Sequence, residues 1–504
     1  MASLEPALLA VDVGTSALKA VVYGHEPAIL AASTQRYGYS TPQPGWAEAD
    51  PDDWWAAFRQ ALLEFQRQGL ELRGLEAIAF TGQMHTAVLL DADGHVVPPT
   101  ILWLDRRAAR ETSELAARLK LPPYQLNSTY TLPKLVWLAR HCPETLVRAR
   151  TILWPKDYLR YRLTGVVCTD PTEPGGAALL DWEAGAWAAD RLRMAELDAS
   201  ILPPILPSTA IAGKPLPEAA RLLGVNPEAQ VMVGIGDVAA LIGGAPPRPG
   251  RVVCSLGSSS MIFMALADNQ RPTDPAHRLY IYPLHPYRLL GGVSSTTGAA
   301  LTWAYTQFGA GAANGASFAS VMAESTALEP GTDGLCFIPY LAGERSPYWQ
   351  DELRGGFYGF RLAHDYRHLV RAVMEGVAYS LRHLLDIYGQ LGVPVRELAL
   401  SGGGTQTPGL CQILADVCGL DAAIYAEEET VTRVLYALYR TGLYGTDMAA
   451  ALDGTFPEPG IVRCDPARAE IYARGYASYR RFADFALAES SASLRTGSLH
   501  AAQS

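Results

Sequence analysis

The chain has 504 residues, of which 49% are hydrophobic and 18% are charged, a profile that excludes a disordered protein. Its length exceeds that of one ordinary core, so we expect more than one domain. The formal net charge of −10 argues against general binding to nucleic acid or to an anionic membrane, since both favour a basic face.

The N-terminal residues, the lengths of the apolar runs and the cysteines all bear on the compartment in which the protein is expected. The first residues, MASLEPALLAVDVG, lack a basic start before an apolar run, so they predict no signal peptide. No apolar run in the sequence is long enough to cross a bilayer. The seven cysteines are scattered and include no CxxC pair, which predicts reduced thiols. We therefore expect a cytoplasmic protein.

Two similar hairpins are predicted, one in each half of the chain. Short apolar segments predict strands at residues 7–13 and 18–23, joined by the turn at residues 14–16, which we call the first turn. A strand, turn and strand recur at residues 250–266, around the second turn at residues 257–259. Strands and amphipathic helices mix after each hairpin. This pattern predicts an α/β protein built from two related halves.

The domain boundary is predicted at residues 243–251, which are rich in proline and glycine. We expect an N-terminal domain at residues 1–245, a C-terminal domain at residues 246–485 and a flexible tail of small and polar residues at 486–504. Asp237 lies among glycines just before the boundary, so it is expected to face a cleft between the domains.

Two helices are predicted in the second half. Residues 365–392 carry an apolar stripe at helical spacing, which predicts a long helix. The predicted strand at 397–401 leads through the glycines at 402–404 into a helix that starts near Pro408 and ends at Gly419.

Both turns are suited to phosphate. Their backbone N–H groups and hydroxyls can bind phosphate oxygens, and Lys19 can add a positive charge. Asp12 ends the first strand, where a carboxylate can hold Mg²⁺ directly or through water. The first turn alone is better explained as an ordinary hairpin turn with a capping Asp, but two such turns could bind a polyphosphate from both sides of a cleft. The glycines at 402–404 suit a flat ligand or a phosphate, or simply a tight turn.

A third group suits a polyol. Met84 and His85 follow one predicted strand, and Trp103 and Asp105 follow another. An aromatic ring can cover a C–H face while polar groups meet hydroxyls. A satisfied core histidine and an Asp–Arg pair with Arg107 are at least as consistent with the pattern. Neither a GxxxxGK[ST] loop nor a GxGxxG fingerprint occurs, which argues against P-loop and dinucleotide-binding proteins.

Taken together and in chain order, these motifs resemble the FGGY family of carbohydrate kinases. Two stretches match family signatures: YTLPKLVWLARH, with Lys134 and Trp137 in place, and GGFYGFRLAHDYRHLVRAVME, where Phe360 replaces the usual aliphatic residue. The other matching segments are VDVGTSALKAVVY, PGWAEADPDDWW, FTGQMHTAVLLDADG, ILWLDRR, PKDYLRYRLTG, GIGDVAA, SLGSSS, YLAGERSPYW and SGGGTQTPGLCQILADVCGL.

The resemblance implies an α/β fold of two ribonuclease H-like domains, of the actin and sugar kinase type, with the active site in the cleft between them. It implies transfer of the γ-phosphate of ATP, with Mg²⁺, to a hydroxyl of a small sugar. The acceptor that the resemblance favours is D-xylulose, which would give D-xylulose 5-phosphate. Gluconokinase and ribulokinase activities are the alternatives, and a nucleotide-dependent assembly protein of the actin-like fold is the non-enzyme alternative.

The resemblance also assigns roles to residues. Asp237 matches the catalytic base, and Asp12 and Asp237 would bind the metal. The residues expected to bind the sugar are Met84, His85, Trp103, Asp105 and Asp237. The residues expected to bind ATP are Gly14, Thr15, Ser16, Lys19, Gly257, Ser258, Ser259, Gly298, Gly403, Gly404 and Gln406.

Three departures from the family pattern concern the sugar. Val238 follows the predicted base where many members have Gln or Asn, Leu104 replaces a common Asn, and Thr86 replaces a common Gly. The first two changes remove polar groups near the expected sugar, so the exact substrate stays open. Glu344 and Arg345 match a family loop, where we expect them to pair and hold the loop. The oligomeric state is left open between monomer and homodimer.

Overall fold

A computed structural model of the chain describes residues 5–122, 124–181, 186–195, 198–284, 287–312, 315–425 and 429–501. The strands in chain order are β1 (Leu8–Val13), β2 (Ala17–Tyr23), β3 (Ile29–Arg36), β4 (Glu48–Ala49), β5 (Ala77–Gly82), β6 (Val88–Leu90), β7 (Thr100–Ile101), β8 (Thr151–Leu153), β9 (Leu180–Asp181), β10 (Ala186–Trp187), β11 (Ile211–Gly213), β12 (Gln230–Met232), β13 (Ile235–Gly236), β14 (Arg251–Leu256), β15 (Ser260–Ala265), β16 (Tyr280–Leu284), β17 (Tyr287–Ser294), β18 (Cys336–Ile338), β19 (Gly356–Tyr358), β20 (Glu397–Ser401), β21 (Ala422–Tyr425) and β22 (Gly460–Val462).

Helices occupy much of the chain between the strands. In chain order they are α1 (Pro51–Arg67), α2 (Ala109–Leu119), α3 (Thr131–His141), α4 (Pro143–Arg148), α5 (Pro155–Thr164), α6 (Thr172–Gly176), α7 (Ala189–Leu192), α8 (Pro217–Leu223), α9 (Asp237–Ile242), α10 (Gly298–Ala304), α11 (Ala310–Ala312), α12 (Phe318–Thr326), α13 (Tyr366–Gln390), α14 (Leu410–Cys418), α15 (Thr430–Tyr444), α16 (Met448–Thr455) and α17 (Pro466–Ala501). A π-helical turn at Tyr305–Gly309 separates α10 from α11.

The chain divides into two compact units. The first comprises Met1–Gly243, Pro283–Pro286 and Glu429–Phe456, and the second comprises Gly244–Tyr282, Tyr287–Glu428 and Pro457–Ser504. The units meet in sequence after Gly243, inside the glycine- and proline-rich segment that predicts the boundary.

The first unit is organised by a mixed sheet with the order β11-β12-β5-β1-β2-β3, and β13 pairs with β5 beside β12. The central strand β1 is antiparallel to β2 and parallel to β5. Its residues are almost entirely apolar because both faces are covered, and Leu9, Val11 and Val13 are fully buried in the core beside α1.

The second unit repeats the order of the first. Its sheet runs β16-β17-β15-β14-β20-β21-β22. Strand β14 forms a hairpin with β15 and lies parallel to β20. In the same way, β1 forms a hairpin with β2 and lies parallel to β5. The five strands β17-β15-β14-β20-β21 therefore correspond to β3-β2-β1-β5-β12. The two predicted hairpins, and the two related halves that they indicate, are confirmed.

One segment differs from the sequence prediction: Glu429–Phe456 belongs to the first unit, although residues 246–485 were expected to form one domain. The reason is packing, because helix α15 lies on β1 and β5 of the first sheet. Thr432 Oγ1 is 2.9 Å from Tyr23 Oη, and Tyr439 Oη donates to the Glu76 carboxylate. A pattern of local apolar residues could not reveal which sheet the helix covers.

The helices of the second half largely follow the prediction. Helix α13 spans Tyr366–Gln390 and begins with a capping box at Asp365. Helix α14 ends at Gly419 as predicted, but it starts at Leu410, because Gly409 takes a left-handed conformation (φ +74°) that stops the helix from including Pro408. Helix α17 continues to Ala501, through the segment expected to be a flexible tail, where alanine and leucine are frequent and proline is absent.

The loop after β18 is held by one buried carboxylate. Glu344 accepts hydrogen bonds from the Ser294 hydroxyl (3.0 Å), the Ser295 N–H (2.6 Å) and the Arg345 N–H (2.8 Å). The Arg345 guanidinium donates to the Ser294 carbonyl (3.4 Å). Glu344 therefore holds the loop to the end of β17 mainly through these donors rather than through the expected pair of side chains.

Candidate active site

The predicted site residues of the first unit meet at one edge of its sheet. Strands β1, β5 and β13 are parallel, and their registers align Val13 with Gly82 and Gly82 with Gly236. The residues that follow these strands, among them His85 and Asp237, therefore leave the sheet at the same edge. Ligands of open α/β sheets bind at the carboxyl ends of the strands, so this edge is the place where a site is expected.

The first turn is tight, and two neighbouring side chains donate hydrogen bonds to it. Gly14 N–H donates to the Ala17 carbonyl (3.0 Å), and a side chain at Gly14 would lie 2.9 Å from the same oxygen. The Gly14 carbonyl accepts from Tyr37 Oη (2.7 Å) and from Gln83 Nε2 (3.1 Å). Both of its lone pairs are thus used, which fixes the orientation of the turn.

Two carboxyl groups, Asp12 and Asp237, influence each other at this edge. Burial raises the pKa of Asp12 to about 6, partly opposed by the charge of Lys19 and reinforced by Glu429. Burial also raises the pKa of Asp237 to about 7, with the Asp12 charge as the second cause. One carboxyl oxygen of Asp12 is buried without a hydrogen-bond partner among the described residues. The pair therefore lacks enough positive charge for both groups to ionise easily.

Asp237 is the first residue of α9 and is half-buried. Its Oδ1 accepts from the Val238 N–H (2.7 Å), and the backbone of Met84 also donates to the carboxylate. The preceding Gly236 N–H donates to Thr172 Oγ1 (2.9 Å), which in turn donates to the buried Asp170 carboxylate (2.8 Å). The backbone that carries Asp237 is thus fixed by a buried chain of hydrogen bonds.

His85 is a neutral imidazole. Burial lowers its pKa to about 3, the bond to the Gly176 carbonyl opposes this, and Lys134 lowers the pKa further. Nδ1 lies 2.5 Å from the Gly176 oxygen, so this nitrogen carries the proton and Nε2 is left as an acceptor. His85 also has φ +69°, a strained conformation that is more frequent at functional sites. The side chain is suited to accept a hydrogen bond from a hydroxyl.

Gly176 and Gly236 are site residues that the sequence analysis missed. A side chain at Gly176 would lie 2.5 Å from His85 Nδ1 and 2.8 Å from Met84 Cε, and one at Gly236 would lie 2.7 Å from Met84 Sδ. Both glycines therefore let Met84 and His85 lie against the backbone. The glycine pair in TEPGGAA was visible in the sequence, but only the fold shows what it faces.

Trp103 connects to the first turn. Its indole N–H donates to Thr15 Oγ1 (2.9 Å), and Thr15 Oγ1 donates to Gln83 Oε1 (3.3 Å). The Trp103 backbone N–H donates to Thr86 Oγ1 (3.1 Å). The threonine that replaces the common family glycine thus has a contact that glycine could not make.

Asp105 has partners that the sugar-binding prediction did not include. The side chain is fully buried and accepts from the Ala47 N–H (2.5 Å), from the Arg107 N–H (2.8 Å) and from the Arg107 guanidinium (2.8–3.0 Å). The Arg107 guanidinium also lies 3.7 Å from the centre of the Trp46 ring. The structure favours the Asp–Arg pair for Asp105, buried rather than at the surface, because both carboxylate oxygens already have donors.

Lys19 also has a partner within the protein. Its Nζ is 2.6 Å from the Glu429 carboxylate, while Ser16 at the tip of the turn is exposed. A contact between Lys19 and a phosphate stays a prediction, and it would require Lys19 to share its charge with Glu429.

The second unit has its own glycine-rich turns. Gly257 N–H donates to the Ser259 carbonyl (3.0 Å), and Gly257 and Ser258 are exposed. Gly298 begins α10, and its N–H donates to the Gly257 carbonyl (2.9 Å). A backbone hydrogen bond therefore holds the second turn against the start of α10.

Gly402 and Gly404 lie against the end of β14. A side chain would meet the Leu256 carbonyl at 2.8 Å from Gly402 and the Leu256 Cβ at 2.6 Å from Gly404. Gly403 and Gln406 are exposed on the short 3₁₀ helix between β20 and α14. Close packing explains two of the three glycines, while a Cβ at Gly403 would meet nothing within 4 Å, so a role of Gly403 in nucleotide binding stays a prediction.

We expect Gly298→Ala to weaken binding of the predicted nucleotide. An added Cβ would lie 2.6 Å from the Gly257 oxygen, so the second turn would have to move. A shift costing about 1–3 kcal/mol would raise the KM for ATP about 5- to 140-fold and leave the KM for the sugar unchanged. Gly389→Ala in α13, where a Cβ meets nothing within 4 Å, is the control. An unchanged KM for ATP in Gly298→Ala would remove the second turn from the nucleotide site.

Comparisons with known proteins agree with the arrangement of both sheets. Residues 7–243 match the N-terminal domain of the FGGY family of carbohydrate kinases, and residues 252–433 match its C-terminal domain. The chain belongs to the FGGY family of carbohydrate kinases. The predicted two-domain fold of the sugar kinase type is confirmed by this match and by solved structures.

The relatives of this FGGY kinase include proteins named for different sugars. It is 32% identical to a xylulose kinase of Escherichia coli over 82% of this chain and 84% of the relative. It is 25% identical to a gluconokinase of Bacillus licheniformis over 86% and 88%. The solved structure of a xyloylose kinase from Brucella ovis, 30% identical, superposes with a TM-score of 0.85 over 94% of this chain and 98% of that chain.

In the parts of the chain that the structure describes, no helix combines the length and the apolar character needed to cross a bilayer.

Proposed function

We propose that this FGGY kinase transfers the γ-phosphate of ATP to D-xylulose, acting as a xylulokinase, with Asp237 as the general base. The observation that carries the proposal is the position of Asp237. It is half-buried at the carboxyl end of the central strands, at the edge where β5 leads to the neutral His85, and its pKa is raised to about 7. A base whose pKa is close to the working pH is best placed to remove a proton from a hydroxyl.

The residues around Asp12 fit a divalent cation such as Mg²⁺. Asp12 has a buried oxygen without a partner among the described residues, and the pKa values of Asp12 and Asp237 are both raised. Carboxylate oxygens are the ligands that Mg²⁺ prefers. When bound, Mg²⁺ would supply positive charge that offsets the charge of the phosphates. In this proposal Asp12 holds the ion, directly or through water, and Asp237 borders it.

The protein side chains then have distinct tasks. Asp237 takes the proton of the attacking hydroxyl, and the hydrogen bonds that fix Gly236 hold the carboxylate in place. His85 Nε2 accepts a hydrogen bond from another hydroxyl and thereby orients the sugar. In the first unit, backbone N–H groups of the first turn would bind phosphate oxygens. In the second unit, the second turn and Gly403, Gly404 and Gln406 stay the predicted contacts of the nucleotide.

The choice of sugar follows from charge. His85 is neutral and Lys19 is paired with Glu429. Burial lowers the pKa of Lys134 to about 7, and its ammonium group donates to the Thr129 carbonyl (2.8 Å). Asp12 and Asp237 bring two carboxyl groups to the same edge. An anionic aldonate such as gluconate would need a positive partner, so a neutral ketose fits better. Val238 adds an apolar, half-buried surface beside the base. The names of the relatives with 30% identity or more favour the same substrate.

The test is a panel of sugars. Purified protein with ATP and Mg²⁺ is expected to form ADP with D-xylulose, and with a higher kcat/KM than with D-ribulose, gluconate, glycerol or L-ribulose. A coupled ADP assay measures this, and identification of D-xylulose 5-phosphate confirms the position of transfer. ADP formation with gluconate above that with D-xylulose would overturn the substrate, and no sugar-dependent ADP would overturn the kinase activity.

A further inference from the structure

Thr15, in the first turn, joins two side chains near the predicted sugar site. Its Oγ1 donates to Gln83 Oε1 (3.3 Å) and accepts from the Trp103 indole N–H (2.9 Å). A hydroxyl has one proton to donate, and here that proton is used by Gln83. The side chain of Thr15 is therefore occupied within the protein. It links the turn to Trp103 instead of presenting a free donor to a phosphate.

Both ends of this link are anchored. Gln83 is 2% exposed, and its Nε2 donates to the Gly14 carbonyl (3.1 Å), so the amide is tied to the turn at two points. At the other end, the Trp103 backbone N–H donates to Thr86, which is fully buried. Because hydrogen bonds hold both ends, a movement of the Trp103 ring would displace Thr15 and Gly14.

We propose that Trp103, Thr15 and Gln83 form a hydrogen-bond relay through which an occupied sugar site strengthens nucleotide binding at the first turn. The proposal rests on the proposed function, since Trp103 must contact the sugar and the turn must contact the phosphates. A sugar packed against the indole fixes its orientation, and hydrogen bonds weaken steeply when they are misaligned. Fixing the indole thus orders Thr15 before the nucleotide arrives, which lowers the cost of binding it.

The relay predicts a measurable coupling between the two ligands. A non-hydrolysable ATP analogue with Mg²⁺ is titrated by calorimetry in the absence and in the presence of saturating D-xylulose. In the wild type, the sugar is expected to lower the Kd of the analogue at least about fivefold, and by linkage the analogue lowers the Kd of the sugar by the same factor.

Three variants then separate the relay from simple loss of contacts. Trp103→Phe keeps an aromatic ring but lacks the N–H donor, so the coupling factor, which is the ratio of the analogue Kd values without and with saturating D-xylulose, falls to near one. Thr15→Val removes the hydroxyl and has the same effect on coupling. Thr15→Ser keeps the hydroxyl and restores the coupling. In the Trp103→Phe/Thr15→Val double variant, the loss is no larger than in either single variant, because both interrupt one chain.

Trp187→Phe is the matched control. Its indole N–H donates to the Pro203 carbonyl (2.9 Å), so this variant also loses one N–H donor to an oxygen, but at a place that has no part in the relay. It is expected to keep the wild-type coupling factor. Loss of coupling in this control would mean that the Trp103→Phe result reflects a general effect on the fold, and the relay would be rejected.

The outcomes distinguish the relay from the proposed function. A wild type without D-xylulose-dependent ADP and without D-xylulose binding overturns the proposed substrate. A wild type that turns over D-xylulose but shows no coupling overturns the relay alone, as does wild-type coupling in Trp103→Phe or in Thr15→Val. If Trp103→Phe fails to bind the sugar, Thr15→Val decides the question.

Discussion

Replacing Asp237 with Asn is expected to lower kcat about 10²- to 10⁴-fold while the protein still binds ATP. The amide keeps the size of the carboxylate and can still accept a hydrogen bond from the Val238 N–H, but it cannot take a proton from the sugar hydroxyl. Steady-state ADP formation measures the loss of turnover, and calorimetry with a non-hydrolysable ATP analogue measures binding. Asp198→Asn, at an exposed 3₁₀-helix cap, is the matched control and keeps its activity.

The pH dependence gives a second view of the same group. The pKa of Asp237 is raised to about 7, so the carboxylate form required of a base is present above that pH and lost as the pH falls through it. A cation beside Asp12 would lower this pKa. We therefore expect kcat/KM for the sugar to fall on the acid side with a midpoint no higher than about 7. Near-normal turnover in Asp237→Asn, or an unchanged acid limb in its residual activity, would exclude Asp237 as the base.

The two hairpins at the centre of the sheets were predictable because their strands carry a local signal. The hairpin from Leu8 to Tyr23 and its counterpart at residues 250–266 combine apolar runs with glycine turns, and the structure has both. The assignment of α15 was not predictable, since its apolar face would suit either sheet. The choice is made by contacts such as that between Thr432 and Tyr23, which are 409 residues apart in the chain.

For the candidate site, position was predictable and partnership was not. Asp12 and His85 were predicted at strand ends and Asp237 beside the domain boundary, and the registers bring the three residues to one edge. The same reasoning grouped Asp105 with them, because a carboxylate two residues from an arginine looks identical whether it binds a ligand or pairs internally. Only the distances to Arg107 and Ala47 separate the two cases. The tautomer of His85 likewise depends on the Gly176 carbonyl, 91 residues away.

Helix α5 illustrates the limit most clearly, since its segment PKDYLRYRLTG looks like a solvated, charged helix. Lys156, Asp157 and Arg160 are in fact fully buried. Lys156 Nζ is 2.6 Å from Asp157 and 3.0 Å from Asp170, and Arg160 is 2.8 Å from Asp157. Two cations thus balance two carboxylates. Burial would lower the pKa of Lys156, but Asp157, Asp170 and Glu173 together raise it above its ordinary value.

Glu173 lies beside this network and has a raised pKa. Burial raises its pKa well above the ordinary value, Lys156 opposes this, and the carboxylates of Asp157, Asp170 and Asp237 add to it. Both of its oxygens are buried without hydrogen-bond partners among the described residues. Lys156 is the cation that contacts both aspartates, whereas Arg160 contacts Asp157 alone.

Lys156→Met is consequently expected to lower the free energy of unfolding by about 3–5 kcal/mol, because it leaves buried carboxylates without their main partner. Urea unfolding followed by tryptophan fluorescence measures the change. Lys214→Met is the matched control: Lys214 is 2.6 Å from Glu228, but both side chains are at least half exposed, and such a pair contributes about 0–1 kcal/mol. Equal shifts of the urea midpoint in both variants would show that burial of the network adds nothing.

Lys156→Met is also expected to disturb Asp237, the proposed base, under conditions where the protein stays folded. Lys156 holds Asp170, Asp170 accepts from Thr172, and Thr172 accepts from the Gly236 N–H that directly precedes Asp237. Without Lys156, the buried Asp170 carboxylate loses its cation, which favours its protonation or its movement. Either change would disturb Thr172 and the start of α9. We therefore expect Lys156→Met, assayed well below its unfolding midpoint, to lose more kcat than Lys214→Met. A Lys156→Met variant that is destabilised but keeps full kcat would show that the network contributes to stability and does not position Asp237.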